Sequence, residues 1–262
     1  MDLEPTPARI EEYRRLVAEV LDDSVRDMRL MLFDKEDAQH SCLATIYATI
    51  IQSARDCMIV LSQPSVTAVG GMLRSIVESY ADLCATINEK DYVKRLIATF
   101  YQEKLRLMRN MRRAPTNAFH EDLAKHFDTD AEQAKVSAEL AALGVEPLKI
   151  HERFAAGGLQ EIYESLYWQL CLQGHNNVSA LQGRHIRGTS DEYQIVLFQN
   201  NRPSELAMYF DVLSAVLTDC AIRVHGFLDT KVLPRYEKRV LALRAFRDAV
   251  HAEVTTAPAG TT

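Results

Sequence analysis

Apolar residues recur at helical spacing along nearly the whole chain, and few turn-forming residues interrupt them. Ile10, Tyr13, Val17, Val20, Leu21, Val25, Met28 and Met31 fall on one face of a first long helix. Asp34 and Asp37 bracket a break. Leu43, Ile46, Tyr47, Ile50, Ile51, Ala54, Cys57, Met58 and Leu61 mark a second helix, which Gln63-Pro64-Ser65 ends. The third is predicted from about Ser65 to Asn88, with Leu73, Ile76, Val77, Tyr80, Leu83, Cys84 and Ile87 as its stripe. A fourth spans roughly Asp91 to Arg113 and stops at Ala114-Pro115-Thr116. With only 10 Gly and 8 Pro in 262 residues, the chain lacks the turn chemistry of a many-stranded sandwich or barrel. The spacing predicts a mainly α fold, a multi-helix bundle of about eight to nine helices.

The second half is less uniform. Residues 116–144 read as two shorter, more polar, Ala-rich helices ending at Gly144, a suitable C-cap. This is the least apolar stretch and could form a mobile helical flap. Gly157-Gly158 introduce a helix from about Leu159 to Ile186. One small β-hairpin is predicted near residues 184–198, because Tyr193-Gln194-Ile195-Val196-Leu197-Phe198 is rich in strand formers. Pro203 and Pro234 open two last helices, the second ending near Val254. Residues 1–254 read as a single helical domain, and 255–262 as a disordered tail.

A net charge of -6 gives no global attraction to nucleic acid or an anionic membrane, so such binding needs a local basic patch. No run of about 18 apolar residues exists, so no membrane span is expected. The acidic N-terminus carries no apolar signal core, and the five cysteines are scattered inside apolar helical patterns. They read as reduced core residues of a cytoplasmic protein. No Gly-rich phosphate loop follows a strand, and no G-x-S-x-G, C-x-x-C or H-E-x-x-H motif occurs. Standard cofactor enzymes are therefore not expected, and neither a cofactor nor a metal is predicted.

Two constellations stand out. Arg74 and Glu78 are four apart, hence neighbours on one helical face beside the apolar stripe. They form either a surface pair or a half-buried pair that other polar groups must complete. Gly70 and Gly71, just upstream, cost helix propensity and mark close backbone packing. The second constellation is Tyr163, Tyr167 and Cys171, then Gly174-His175-Asn176-Asn177, then Arg184-His185. Gly and Asn weaken a helix interior, so tertiary contacts must support that run. His175 can exchange protons near neutral pH, and the two amides can orient it or a polar ligand. A hydrogen-bond network that fixes helix register would use the same residues.

Leu73-Arg74-Ser75-Ile76-Val77-Glu78, with Tyr163, Tyr167, Cys171-Leu-Gln-Gly-His175-Asn176-Asn177, Leu181 and Arg184-His185, resembles a bacterial family of unknown function, the domain-of-unknown-function family 5677. The similarity spans roughly residues 40 to 230, and His-Asn-Asn is its most specific part. It implies a helical protein with an Arg/Glu helix and a Tyr…His helix, and brings no activity or cofactor. It also implies that Arg74, Glu78, His175 and Asn176 converge in space.

A third feature is cationic. Arg106, Arg109 and Arg113 share a face at the end of the fourth helix, as a solvated face or a phosphate-binding stripe for RNA. Two functions follow. One is a binding or sensing module for a small-molecule or RNA ligand, a protein partner or a second copy of the chain. The alternative is a metal-independent ribonuclease or phosphate-ester hydrolase of a defence or toxin-like system. There His175 serves as general acid/base and Asn176 orients it, while Arg74 holds an anionic group and Glu78 orients Arg74. Asn177, Tyr167, Arg184 and His185 would complete the ligand site.

Overall fold

The computed structural model describes residues 4–63, 67–114, 116–125, 128–174, 177–188 and 192–256. Thr6 caps α1 (Pro7–Asp27) by accepting from the Arg9 amide, and Pro7 occupies the first position, where no donor is needed. Asp37 caps α2 (Ala38–Val60) through the amides of Gln39 and His40. The chain continues through α3 (Val69–Asn88), α4 (Tyr92–Arg113), α5 (Ala118–Ala124), α6 (Thr129–Leu143) and α7 (Ile150–Ala156). Next come α8 (Gln160–Ile162), a π-helical turn (Tyr163–Tyr167) and α9 (Trp168–Gly174), which run on without a break. Then follow α10 (Val178–His185), β1 (Ile186–Gly188), β2 (Tyr193–Ile195), α11 (Pro203–Phe227) and α12 (Leu233–Thr256).

The protein is 78% helical, with one two-stranded antiparallel hairpin among the described residues. Counting α8, the π turn and α9 as one gives 11 helices among the described residues, more than the eight to nine expected. Much of the excess comes from α7 and α10, seven and eight residues long, too short for periodicity to separate from their neighbours.

The predicted stripes of α1, α2 and α3 are largely what the molecule buries, whereas on α4 Ile97, Phe100 and Leu107 stay exposed. Tyr13, Val17, Val20 and Leu21 of α1 join Leu43, Tyr47 and Ile50 of α2 in the main core, although Val25 stays exposed. Helix α3 lies at the centre and packs on α2, α7, α9 and α11, while α11 also meets α1, α2 and α12. Leu73, Ile76, Val77, Leu83 and Cys84 are fully covered, which removes most of the apolar area of α3 from water. Helix α4 stands to one side and pairs with α6, and Tyr92 seats with Ala85 and Leu148 in a small second cluster. Gly144 ends α6 in the left-handed conformation, as expected. Cys57, Cys84 and Cys220 are buried thiols. Burial pushes Cys57 up to about 12 and Cys84 to about 11, so both behave as core residues.

Two expectations are corrected. The helix predicted from Leu159 to Ile186 is not continuous: α9 ends at Gly174, and Asn177 starts α10 as its N-cap. The Asn177 side chain accepts from the amides of Ser179 and Ala180, the role in which Asn is favoured. The hairpin is shorter than its predicted strands because α10 runs to His185, and only three pairs form, Ile186 to Ile195, Arg187 to Gln194 and Gly188 to Tyr193. Pro64-Ser65, the predicted end of α2, and the expected tail from residue 257 onward lie outside the described residues.

Candidate functional site

Arg74, Glu78 and Asp82 repeat every four residues along α3 and form a polar ridge beside its apolar face. The upper part of the ridge is the predicted pair. Arg74 Nε donates to Glu78 Oε1 at 2.9 Å, and the side chains are 31% and 23% exposed, so the pair is half-buried. Tyr167 completes it: its hydroxyl donates to Glu78 Oε1 at 2.7 Å and accepts from Arg74 Nε at 3.3 Å. The Arg74 guanidinium also lies over the Tyr167 ring, 5.6 Å from its centroid. Burial, then the bond to Glu78, pushes the Tyr167 hydroxyl well above its ordinary range, so it stays a donor. Burial works against the charge on Arg74, but the bonds to Tyr167 and Glu78 outweigh it and raise its pKa.

The lower part of the ridge escaped the sequence reading. Arg153 of α7 holds the buried Asp82 carboxylate through two bonds, Nε to Oδ1 at 2.7 Å and Nη2 to Oδ2, and Tyr92 donates to Oδ1 at 2.8 Å. The local signal was there, since an acid four residues past Glu78 interrupts a run of buried apolar positions. Its partner sits 71 residues away, where no local pattern reaches.

The π turn sets how Tyr167 meets this ridge. It widens the helix at Tyr163–Tyr167 and stacks the two tyrosines at 5.4 Å and 20°. Phe154 packs on both rings, at 5.4 and 4.9 Å. Such turns cost regular hydrogen bonding and concentrate at functional positions. Further on, Gln173 joins three elements. Its backbone oxygen accepts from Arg184 Nη2 at 2.6 Å, and its Oε1 accepts from the Tyr209 hydroxyl at 3.3 Å. A Cβ added to Gly70 would lie 2.8 Å from Gln173 Cβ, so the expected close packing occurs at Gly70. Among the described residues nothing lies within 4 Å of a Cβ at Gly71.

Beyond Gln173, a polar recess of about 70 Å³ opens among Thr67, Arg184, His185, Asn201, Glu205 and Tyr209. Gln199 and Phe198 also line it. Gln199 Oε1 and Asn201 Nδ2 are buried there without a hydrogen-bond partner among the described residues. Phe198 is held at φ 56°, in the left-handed region that a bulky residue rarely adopts. His185 Nδ1 is 3.1 Å from the Val196 oxygen, which anchors the ring to the strand side. The structure thus joins Arg74, Glu78 and Tyr167 in one cluster and places Arg184 and His185 on the recess. Asn177 serves as a helix cap, and His175 and Asn176 lie outside the described residues.

On α4, Arg106, Arg109 and Arg113 are all exposed. Neighbouring cations are tied down, Lys104 by Glu132 and Arg112 by Asp130, so α6 neutralises part of that surface. Among the described residues no group of three or more His, Cys, Asp or Glu side chains could hold a metal ion, and no helix is long and apolar enough to cross a membrane.

Fold and site together define a mainly α protein in which a charged central helix meets a tyrosine-bearing helix along a polar seam. The chain belongs to the family of unknown function DUF5677, whose model matches residues 40–194. That span runs from α2 to β2 and carries Arg74, Glu78, Asp82, Tyr167, Arg184 and His185. It stops short of the reach to about residue 230 suggested by the sequence, leaving α1, α11 and α12 outside. Neither a curated protein nor a solved structure matches the chain.

Proposed function

We propose that the protein is a binding module of the sensing kind, with its ligand seat in the recess beside α10. One observation carries this reading: among the described residues Gln199 Oε1 and Asn201 Nδ2 are buried without partners, in a recess that Arg184 and His185 also line. A buried acceptor or donor left unmade costs about 1–3 kcal/mol, which a ligand offering the complementary group recovers. The strained backbone at Phe198 supports the same place, since such strain collects at ligand clamps. A volume of about 70 Å³ admits one compact polar group, such as a phosphate, carboxylate or carboxamide. A larger ligand, nucleotide or RNA, enters by one such group. The Arg74–Glu78–Tyr167 cluster then acts as a brace that holds α3 against the helix bearing Gln173.

A melting screen of the purified chain against inorganic phosphate, nucleotides and small carboxylates tests this, because a ligand that binds only the folded state raises Tm. Asn201→Ala removes that rise while the unliganded protein still melts cooperatively. No shift with any of these compounds, or an equal shift in Asn201→Ala, rejects the reading. The hydrolase reading, a metal-independent ribonuclease or phosphate-ester hydrolase of a defence or toxin-like system, draws support from Arg184 and His185 at one recess, where both can donate to a phosphate group. In that reading His175, Asn176, Arg74 and Glu78 take the catalytic roles, and RNA cleavage abolished by His175→Ala would favour it.

A further inference from the structure

Outside the family-matched span, the first turns of α1, the start of α11 and the end of α12 enclose a cleft of about 450 Å³. Small-molecule sites occupy roughly 300–1,000 Å³. Ile10, Met208, Phe246 and Val250 give the cleft an apolar wall. Ser204 and His251 also line it, and its central polar group is one ion pair, Arg247 with Asp211. Arg247 Nε also donates to the Tyr13 hydroxyl at 3.2 Å, and its Nη2 donates to Ser214 Oγ at 3.2 Å. The Tyr13 hydroxyl in turn donates to Asp211. These bonds fix the pair, yet Arg247 is 36% and Asp211 48% exposed, so both still present polar atoms to the cleft. Arg9, at the mouth, is held by Glu12 and Glu253.

Both arginines are therefore matched by carboxylates before any ligand arrives. An anionic ligand would compete with Asp211 for Arg247, and a cationic one would compete with Arg247 for Asp211. A neutral head with one acceptor and one donor satisfies both partners at once and breaks neither bond. We propose that this cleft is a second ligand site that takes a neutral amphipathic molecule. Its apolar body lies against Phe246, Met208 and Val250, and its carboxamide-like head sits on the Arg247–Asp211 pair.

Calorimetric titration of the full chain with naphthamide, naphthoate and naphthylmethylamine tests the site and the head group together. Naphthamide binds saturably at one site, and each charged congener binds about tenfold more weakly. Ala207→Trp and Val250→Trp, which fill the cleft from the α11 and α12 walls and leave Arg247 and Asp211 themselves in place, both abolish the naphthamide signal. No saturation by naphthamide, or saturation unchanged in either folded tryptophan variant, overturns the site. Equal binding of naphthoate or naphthylmethylamine overturns the neutral head.

Discussion

His225 is buried to zero exposure on α11, between the edge of the Tyr47 ring, 5.9 Å away, and the face of Tyr236, 5.7 Å away. Its Nδ1 lies 3.0 Å from Thr230 Oγ1, and its Nε2 has no partner among the described residues. Burial lowers its pKa, Asp27 opposes that effect and Arg235 reinforces it. A histidine whose folded pKa lies below its unfolded value of about 6.5 stabilises the fold above that pH. The contribution is lost as pH falls below about 6.5 and towards the folded value, because the unfolded chain then binds the extra proton. Urea denaturation at stepped pH should show stability falling on acidification through this window. His225→Gln should flatten that slope whatever it does to stability at neutral pH. A slope identical to the parent protein's would show that other groups carry the acid sensitivity.

At the scale of elements, the α3–α9 contact rests on a missing side chain. Gly70→Ala brings a Cβ within 2.8 Å of Gln173 Cβ, an atom close to the backbone that cannot swing aside. The helices must separate, at a cost of about 1–3 kcal/mol. Gly71→Ala meets nothing and gains helix propensity, up to about 1 kcal/mol. Chemical denaturation of the two variants should therefore move in opposite directions, and a common sign would remove Gly70 as the point of closest approach. Much at this scale was legible in the sequence. The long stripes of α1, α2 and α3 and the Arg74–Glu78 pair follow from spacing alone, and the glycine pair advertised the close approach found at Gly70. The break before α10 was visible in the Gly and Asn residues, but the apolar spacing on either side read straight through it. The π turn leaves no trace, because tyrosines four apart suit either helix type. Gln199 and Asn201 sit in the irregular segment after the hairpin, where no period exists to place them. Arg153 was beyond reach for another reason: its meaning comes from Asp82, on a different helix.

Across the whole molecule, opposite charges stitch the first helix to the last. Arg235 and Arg239 of α12 hold Asp27 and Asp23 of α1, two carboxylates with almost no exposure. Arg9 holds Glu253 at the other end of the same pair. Helix α11 runs inside this clasp, and its Leu213, Leu217, Cys220 and Val224 complete the core that α2 and α3 begin. The stretch shared with the family, residues 40–194, is therefore expected not to fold on its own. Cut at those limits, α3 would show water the face that now meets α11, and α2 the face that meets α1 and α11. A fragment of residues 40–194 should melt without a cooperative transition, while the full chain gives one sharp step by calorimetry. On that outcome inheritance and folding draw different borders: the shared residues hold the polar seam, and the flanking helices cover the apolar faces beside it.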